Sequence, residues 1–196
     1  MSEVLNAEIN ASEMKGGPSR RRVVAGVAWS LPVIITAVAA PAAAASGLSV
    51  TAGLVGTGSA VTYLPSGGTG AGTNRNGSGP TALQLQNKGA AVNSPISGTI
   101  NIAPVGTVAA GAGVQSITPA AVASSSYSAS HAYNGSFTYT AGIPSGQTVN
   151  FPIQFQFESV NPSPKKGAVL SYTLTITVTL PDATTQALTA GLTVTF

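Results

Sequence analysis

Residues Val169–Leu180 read VLSYTLTITVTL. Leu170, Tyr172, Leu174, Ile176, Val178 and Leu180 alternate there with Ser171, Thr173, Thr175, Thr177 and Thr179. A period of two puts the first set on one side of an extended chain and the second set on the other. A helix would scatter both sets around its circumference. The stretch therefore reads as a strand with one buried face and one hydroxylated face. Thr148–Phe157, TVNFPIQFQF, follows the same rule, with Val149, Phe151, Ile153, Phe155 and Phe157 together. Leu188–Phe196, LTAGLTVTF, repeats it with Leu188, Ala190, Leu192, Val194 and Phe196. Alternation of this length belongs to half-buried antiparallel strands. Pro181-Asp182-Ala183-Thr184 supplies turn residues between the last two strands, so they are expected to form a hairpin. On this reading Phe151, Phe155, Leu174 and Ile176 are core residues, and Thr175 faces solvent.

Weaker strands lie upstream. Leu48–Val55 and Ala60–Leu64 make an opening pair. TALQLQN (Thr81–Asn87), ISGTINI (Ile96–Ile102), Val114–Thr118 and Ser136–Ala141 are shorter candidates. Residues 65–80, PSGGTGAGTNRNGSGP, read as a flexible Gly-rich loop. Thr118–Asn134 reads as a loop or a short helical turn. About seven to nine short strands with turn signals between them predict an all-β fold, a single antiparallel β-sandwich over residues 46–196.

Residues 1–45 read differently. A polar head carries Lys15, Arg20, Arg21 and Arg22, and Val23–Ala40 has no charge. The apolar run is diluted by Gly26, Ser30 and Thr36 and interrupted by Pro32, which disrupts a helix. Ala42-Ala43-Ala44-Ala45 then precedes Ser46, a small-residue exit with Ala43 and Ala45 in the A-x-A places. No basic cluster follows; the next charge is Arg75. The segment is expected to be a signal helix, removed ahead of Ser46. Ser19-Arg20-Arg21-Arg22-Val23-Val24 resembles the twin-arginine export signal of bacterial proteins that cross the membrane already folded. Ala25 stands where that signal usually has Lys. The resemblance implies a secreted or cell-surface protein.

A second resemblance covers about Thr81 to Asp182. Asn87-Lys88-Gly89 ends a strand, IPSGQTVNFPIQF opens a later one at Ile143, and KKGAVLSYTLTITVTLPD closes with a Gly-led strand. These resemble the turns and strands of bacterial extracellular immunoglobulin-like modules of the CARDB type. The resemblance implies an immunoglobulin-like sandwich in a surface or adhesion context, and it brings no catalytic residues.

Composition narrows the chemistry. Charged residues make up only 7% of the chain, so solubility must come from Ser, Thr, Asn and Gln. Beyond the leader the charged residues are Arg75, Lys88, Lys165, Lys166, Glu158 and Asp182, with one His, His131. Scattered basic residues do not make a nucleic-acid footprint. The absence of Cys removes disulfides and thiolate chemistry. A Ser–His–Asp triad would need His131 and Asp182, but the first sits in a small-residue loop and the second in a turn. Glu158 and Asp182 are the only acids for glycoside chemistry, and the strand alternation turns Glu158 away from the core. The same few groups do not assemble a usual metal site. Gly67–Gly72 lacks the strand before and helix after it that a phosphate loop needs. Lys88 or Lys165 with Glu158 is a poor candidate for a buried Lys–Asn amide, because all three fall at turns or on the solvent side. A terminal Phe196 resembles the closing strand of outer-membrane barrels, but the chain lacks their aromatic girdles. No enzyme, cofactor or metal role is expected.

One feature points to binding. Thr173, Thr175, Thr177 and Thr179 are expected to neighbour Thr189, Thr193 and Thr195 across the hairpin. An array of hydroxyls can bind sugar or order water, although Thr is also simply favoured on exposed strand faces. The expected function is a non-enzymatic structural or adhesive surface protein, with a carbohydrate-binding module on the Thr face as the alternative. Partners are a cell-envelope or extracellular protein or glycan. If nothing pairs with the outer side of Leu192–Phe196, that uncharged, Pro-free strand is an edge that invites self-association.

Overall fold

Alternation becomes ladder in the computed structural model, which describes residues 49–67 and 72–196. Arg20, Arg21, Ala43, Ala45 and Ser46, with the rest of the expected leader, lie outside the described residues. Eleven strands are present among the described residues: β1 Val50–Val55, β2 Ser59–Pro65, β3 Arg75–Gly79, β4 Ala82–Asn87, β5 Ile96–Pro104, β6 Ala112–Ile117, β7 Ala121–Tyr127, β8 Tyr133–Tyr139, β9 Thr148–Phe157, β10 Val169–Thr179 and β11 Thr185–Thr195. No helix occurs among the described residues. The fold is all-β. Hydrogen-bonded neighbours run β1-β4-β9-β2-β3-β11-β10-β5-β8-β7, with β6 attached to β9.

The strand that organises this path is β9. Its first half, Thr148–Pro152, pairs with β4. Its second half pairs with β6 through Ile153–Phe157. Pro152 stands at the changeover, where its missing N–H leaves the ladder nothing to lose. Phe155–Phe157 also runs parallel to Tyr63–Pro65 of β2. The expected purely antiparallel sheet is therefore mixed.

Two strands lie where the sequence suggests loop. β3 occupies Arg75–Gly79 inside the expected flexible loop. Its glycines are filled from elsewhere. A Cβ on Gly77 would sit 2.8 Å from the Tyr63 ring, and one on Gly79 would sit 2.8 Å from Leu192 and 3.3 Å from Phe155. Glycine lets β3 lie against large neighbours in place of side chains of its own. β7 takes up part of the Ala/Ser stretch, and its ladder to β8 is interrupted between Ala123 and Ser126. Ser124 has a positive φ of 52° at that bulge. The bulge and the small side chains hide any period of two.

The C-terminal strand is not an edge. β3 covers the outer side of Thr193–Thr195. The premise for self-association there fails, because β3 takes the backbone groups that an edge would leave unpaired. The first half of β11 meets β1 differently. The Gln186 side chain accepts from Ala52 N–H at 2.7 Å and donates to Val50 C=O at 2.7 Å. One amide thus satisfies two backbone groups on the outer side of β1.

A single buried cluster joins the inward residues of nearly all strands. Phe151, Phe155, Leu174 and Ile176 are each 0% exposed, as the alternation requires. Aromatic pairs tie the cluster together: Tyr63–Phe155 at 5.2 Å, Tyr139–Phe151 at 4.9 Å and Phe157–Phe196 at 5.6 Å between ring centroids. Gly98 of β5 makes room for the Phe137 ring: a Cβ there would lie 2.5 Å from its Cζ and 2.6 Å from Thr177 C=O. Gly98→Ala is expected to cost about 1–3 kcal/mol by overpacking. A urea midpoint unchanged from the parent would contradict that packing.

Candidate functional site

The Thr face is wider than the hairpin. Thr175 stands opposite Thr189 on β11 and Asn101 on β5, and Asn101 stands opposite Asn134 on β8. Thr177 stands between Ala187 and Thr99, and Thr99 opposite Ser136. Thr179 stands between Thr185 and Ser97, and Ser97 opposite Thr138. Each set forms a rung of small side chains crossing four strands, all polar but Ala187. None carries a charge. The opposite positions on the same strands, such as Ile176, Leu188, Ile100 and Phe137, are buried. That contrast is what turns the rungs outward.

The threonines that alternation picks out divide, and only Thr189 of the three on β11 joins the β10 set in a rung. Thr173, Thr175, Thr177 and Thr179 share the outer side of β10. Thr173 ends the array, because Gly191 and Ala103 flank it. Thr193 belongs to another seam. Its hydroxyl lies 2.8 Å from Ser78 Oγ and accepts from Ser78 N–H at 3.1 Å. Thr195 stands between Val169 and Asn76. Both hold β11 to β3 and add nothing to the central rungs. Within the rungs, Asn101 Nδ2 donates to Asn134 Oδ1 at 2.8 Å, and Ser136 Oγ donates to Ala123 C=O at 3.1 Å. Among the described residues the threonine hydroxyls of the rungs make no side-chain hydrogen bond, so they stay open to solvent or ligand.

β5 and β8 add Ser97, Thr99, Asn101, Asn134, Ser136 and Thr138 to the face that the threonines alone suggest. Their signal is present in SGTIN and NGSFT, where hydroxyl and amide residues alternate with others. Glycines at 98 and 135 blur the period.

A second polar cluster joins residues that the sequence leaves apart. His131 Nδ1 lies 2.6 Å from Glu158 Oε2, and the same oxygen accepts from Gly111 N–H at 2.9 Å. Glu158 N–H returns a bond to Gly111 C=O at 2.8 Å. His131 adopts a positive φ of 63° in the turn after β7. The cluster clamps three segments: that turn, the approach to β6 and the exit from β9. Glu158 is half-buried by this clamp. The nearby serines are committed to the turn. Ser128 Oγ and Ser130 Oγ lie 2.9 Å apart, and Ser128 Oγ accepts from Ala132 N–H at 3.1 Å.

Asp182 stays in the β10–β11 turn. Its carboxylate accepts from the Thr184 hydroxyl at 2.6 Å and the Thr184 N–H at 3.0 Å. These bonds, the hydroxyl first, hold its carboxyl below the usual range. The next residue, Ala183, has a positive φ of 64°. Left-handed backbone costs a residue with a Cβ about 1–2 kcal/mol, so Ala183→Gly is expected to raise stability by part of that amount. A lower thermal midpoint in the glycine variant would contradict the turn geometry.

Tyrosines fill the interior around the clamp. Tyr172 Oη donates to Ala110 C=O at 2.6 Å, and Tyr133 Oη donates to Val114 C=O at 2.6 Å. Tyr127 Oη is buried near Gln156 but closes no hydrogen bond. Burial pushes the phenols of Tyr63, Tyr127, Tyr133 and Tyr172 above their ordinary value of 10.0. A raised folded value favours the folded state below the unfolded value and weakens it above. Stability is therefore expected to fall as pH climbs past 10.0, with phenolate absorbance rising as the protein unfolds. Phenolate absorbance from all these tyrosines while the β signal persists would contradict their burial.

Among the described residues no group of three or more His, Asp and Glu comes together. Comparison with protein-family models, with curated proteins and with solved structures finds no match.

Proposed function

We propose that the chain is an exported, non-enzymatic surface module: a β-sandwich of the immunoglobulin-like kind that serves a structural or adhesive role. The observation that carries this reading is Asn87. It is 0% exposed, the one buried polar side chain among the described residues. Its Nδ2 donates to Ala90, Ile143 and Pro144 C=O at 2.7, 3.0 and 3.2 Å. Its Oδ1 accepts from Gly89 N–H at 2.9 Å. The Asn-Lys-Gly turn and the Ile-Pro-Ser-Gly turn, separate in sequence, are therefore bonded to each other. These are the turns on which the resemblance to extracellular immunoglobulin-like modules rests. An uncharged outer face beside one dense core also suits a protein that displays a surface and does no chemistry.

A glycan-binding role for the Thr face is the second reading, supported by the open hydroxyls of the β10 rungs. Export is tested separately. Arg20→Lys with Arg21→Lys is expected to hold the protein in the cell, while Arg22→Lys alone lets it leave with Ser46 as its first residue. Intact-mass measurement of secreted protein retaining Met1 would overturn the leader reading.

A further inference from the structure

We propose that the outer face of β11, β10, β5 and β8 binds ice, seating ordered water on its three polar rungs. This goes beyond the surface-module reading and uses only the position and chemistry of the face. Charge is the first argument. The rungs are Thr, Ser and Asn with Ala187 among them. An ionised side chain holds its own hydration shell against the order of a crystal, and these rungs have none to hold.

Stiffness is the second. A β-branched side chain has few χ1 choices on a strand. Each Thr on β10 also has a neighbour on both sides in the ladder. Its hydroxyl and methyl are therefore already fixed, and little side-chain entropy remains to be lost on binding. The hydroxyls that make no protein hydrogen bond are free to join a water lattice.

Spacing is the third. Neighbouring strands repeat at about 4.8 Å, and residues on one side of a strand repeat at about 6.8 Å. These lie near the repeats of hexagonal ice along its a and c axes. Strand twist of about 20–25° between neighbours spoils the match outward. The match is therefore best at the centre, where Thr177 lies between Thr99 and Ala187. A sugar ring would instead look for an aromatic plane to stack on, and the rungs contain no aromatic side chain.

The test grows a polycrystalline ice hemisphere from a dilute solution of the full chain. The expected result is enrichment in the ice above an albumin control. Thr177→Lys and Thr99→Lys are expected to return the chain to the control level. Ser145→Lys, on an exposed turn that belongs to none of the rungs, is expected to leave enrichment intact. Thermal melts of the three variants establish that they are folded. Enrichment no greater than albumin would overturn the proposal, and so would enrichment that survives Thr177→Lys in a folded variant. Insoluble chitin and cellulose form a parallel arm: Thr177-dependent binding to either, without ice enrichment, assigns the face to glycan and overturns the ice reading. None of these outcomes touches export, which the arginine variants decide.

Discussion

Asn87→Leu is expected to cost about 3–4 kcal/mol of folding stability, because each buried group left unpaired costs about 1–3 kcal/mol. The side chain is fully buried and bonds to three carbonyls and one N–H. Leucine fills the volume but leaves Ala90 C=O and Gly89 N–H unpartnered, while Ile143 and Pro144 C=O keep only their bonds from Val92 and Gln147 N–H. The loss has a direction in the structure as well. Val92 and Ile143 exchange backbone bonds of 2.8 and 2.9 Å just beside it, so the two turns should part together. Urea unfolding measures the cost, and amide exchange at Val92 and Ile143 locates it. A variant within 1 kcal/mol of the parent on the scale of ordinary surface substitutions (about ±0.5 kcal/mol) would remove Asn87 as the link between the turns.

Phe155→Ala is expected to cost about 3–5 kcal/mol. Phe155 is 0% exposed, stacks on Tyr63 at 5.2 Å and covers Gly79 of β3. It also sits where β9 takes β6 and β2 as partners. Truncation would open a cavity at the junction of three strands. Thr175→Ala, on the outer side of β10, is expected to change stability by no more than about 0.5 kcal/mol. If urea melts rank Thr175→Ala as the more damaging, the facing assignment is inverted.

What the sequence conveys depends on whether side chains record the backbone. β9, β10 and β11 are legible because every second residue is large and apolar, and Thr148–Phe157 is recovered at both ends. β3 is illegible because its inward positions are glycines whose space Tyr63, Leu192 and Phe155 fill. A period cannot be read from residues without side chains. β7 is hidden by its bulge and its run of Ala and Ser. The parallel pairing of β2 with β9 joins segments far apart in sequence and leaves no local mark.

The candidate site follows the same logic. The threonines of β10 are visible, and so is their outward direction. Thr193 reads as their equal until β3 takes its hydroxyl. The clamp between His131 and Glu158 depends on the turn after β7 and the end of β9 meeting at Gly111. Nothing in either segment alone announces that meeting.

The proposed surface module would work outside the cell with the half-exposed Thr177 turned outward and Ile176 buried. The absence of cysteine makes one measurement decisive. Single-cysteine variants Thr177→Cys and Ile176→Cys are treated with a membrane-impermeant maleimide, on intact cells and in the culture medium, before and after urea. Immediate labelling of the Thr177→Cys variant is expected, and labelling of the Ile176→Cys variant only in urea. Labelling of Thr177→Cys that appears only after lysis, or equal native labelling at both positions, would contradict it.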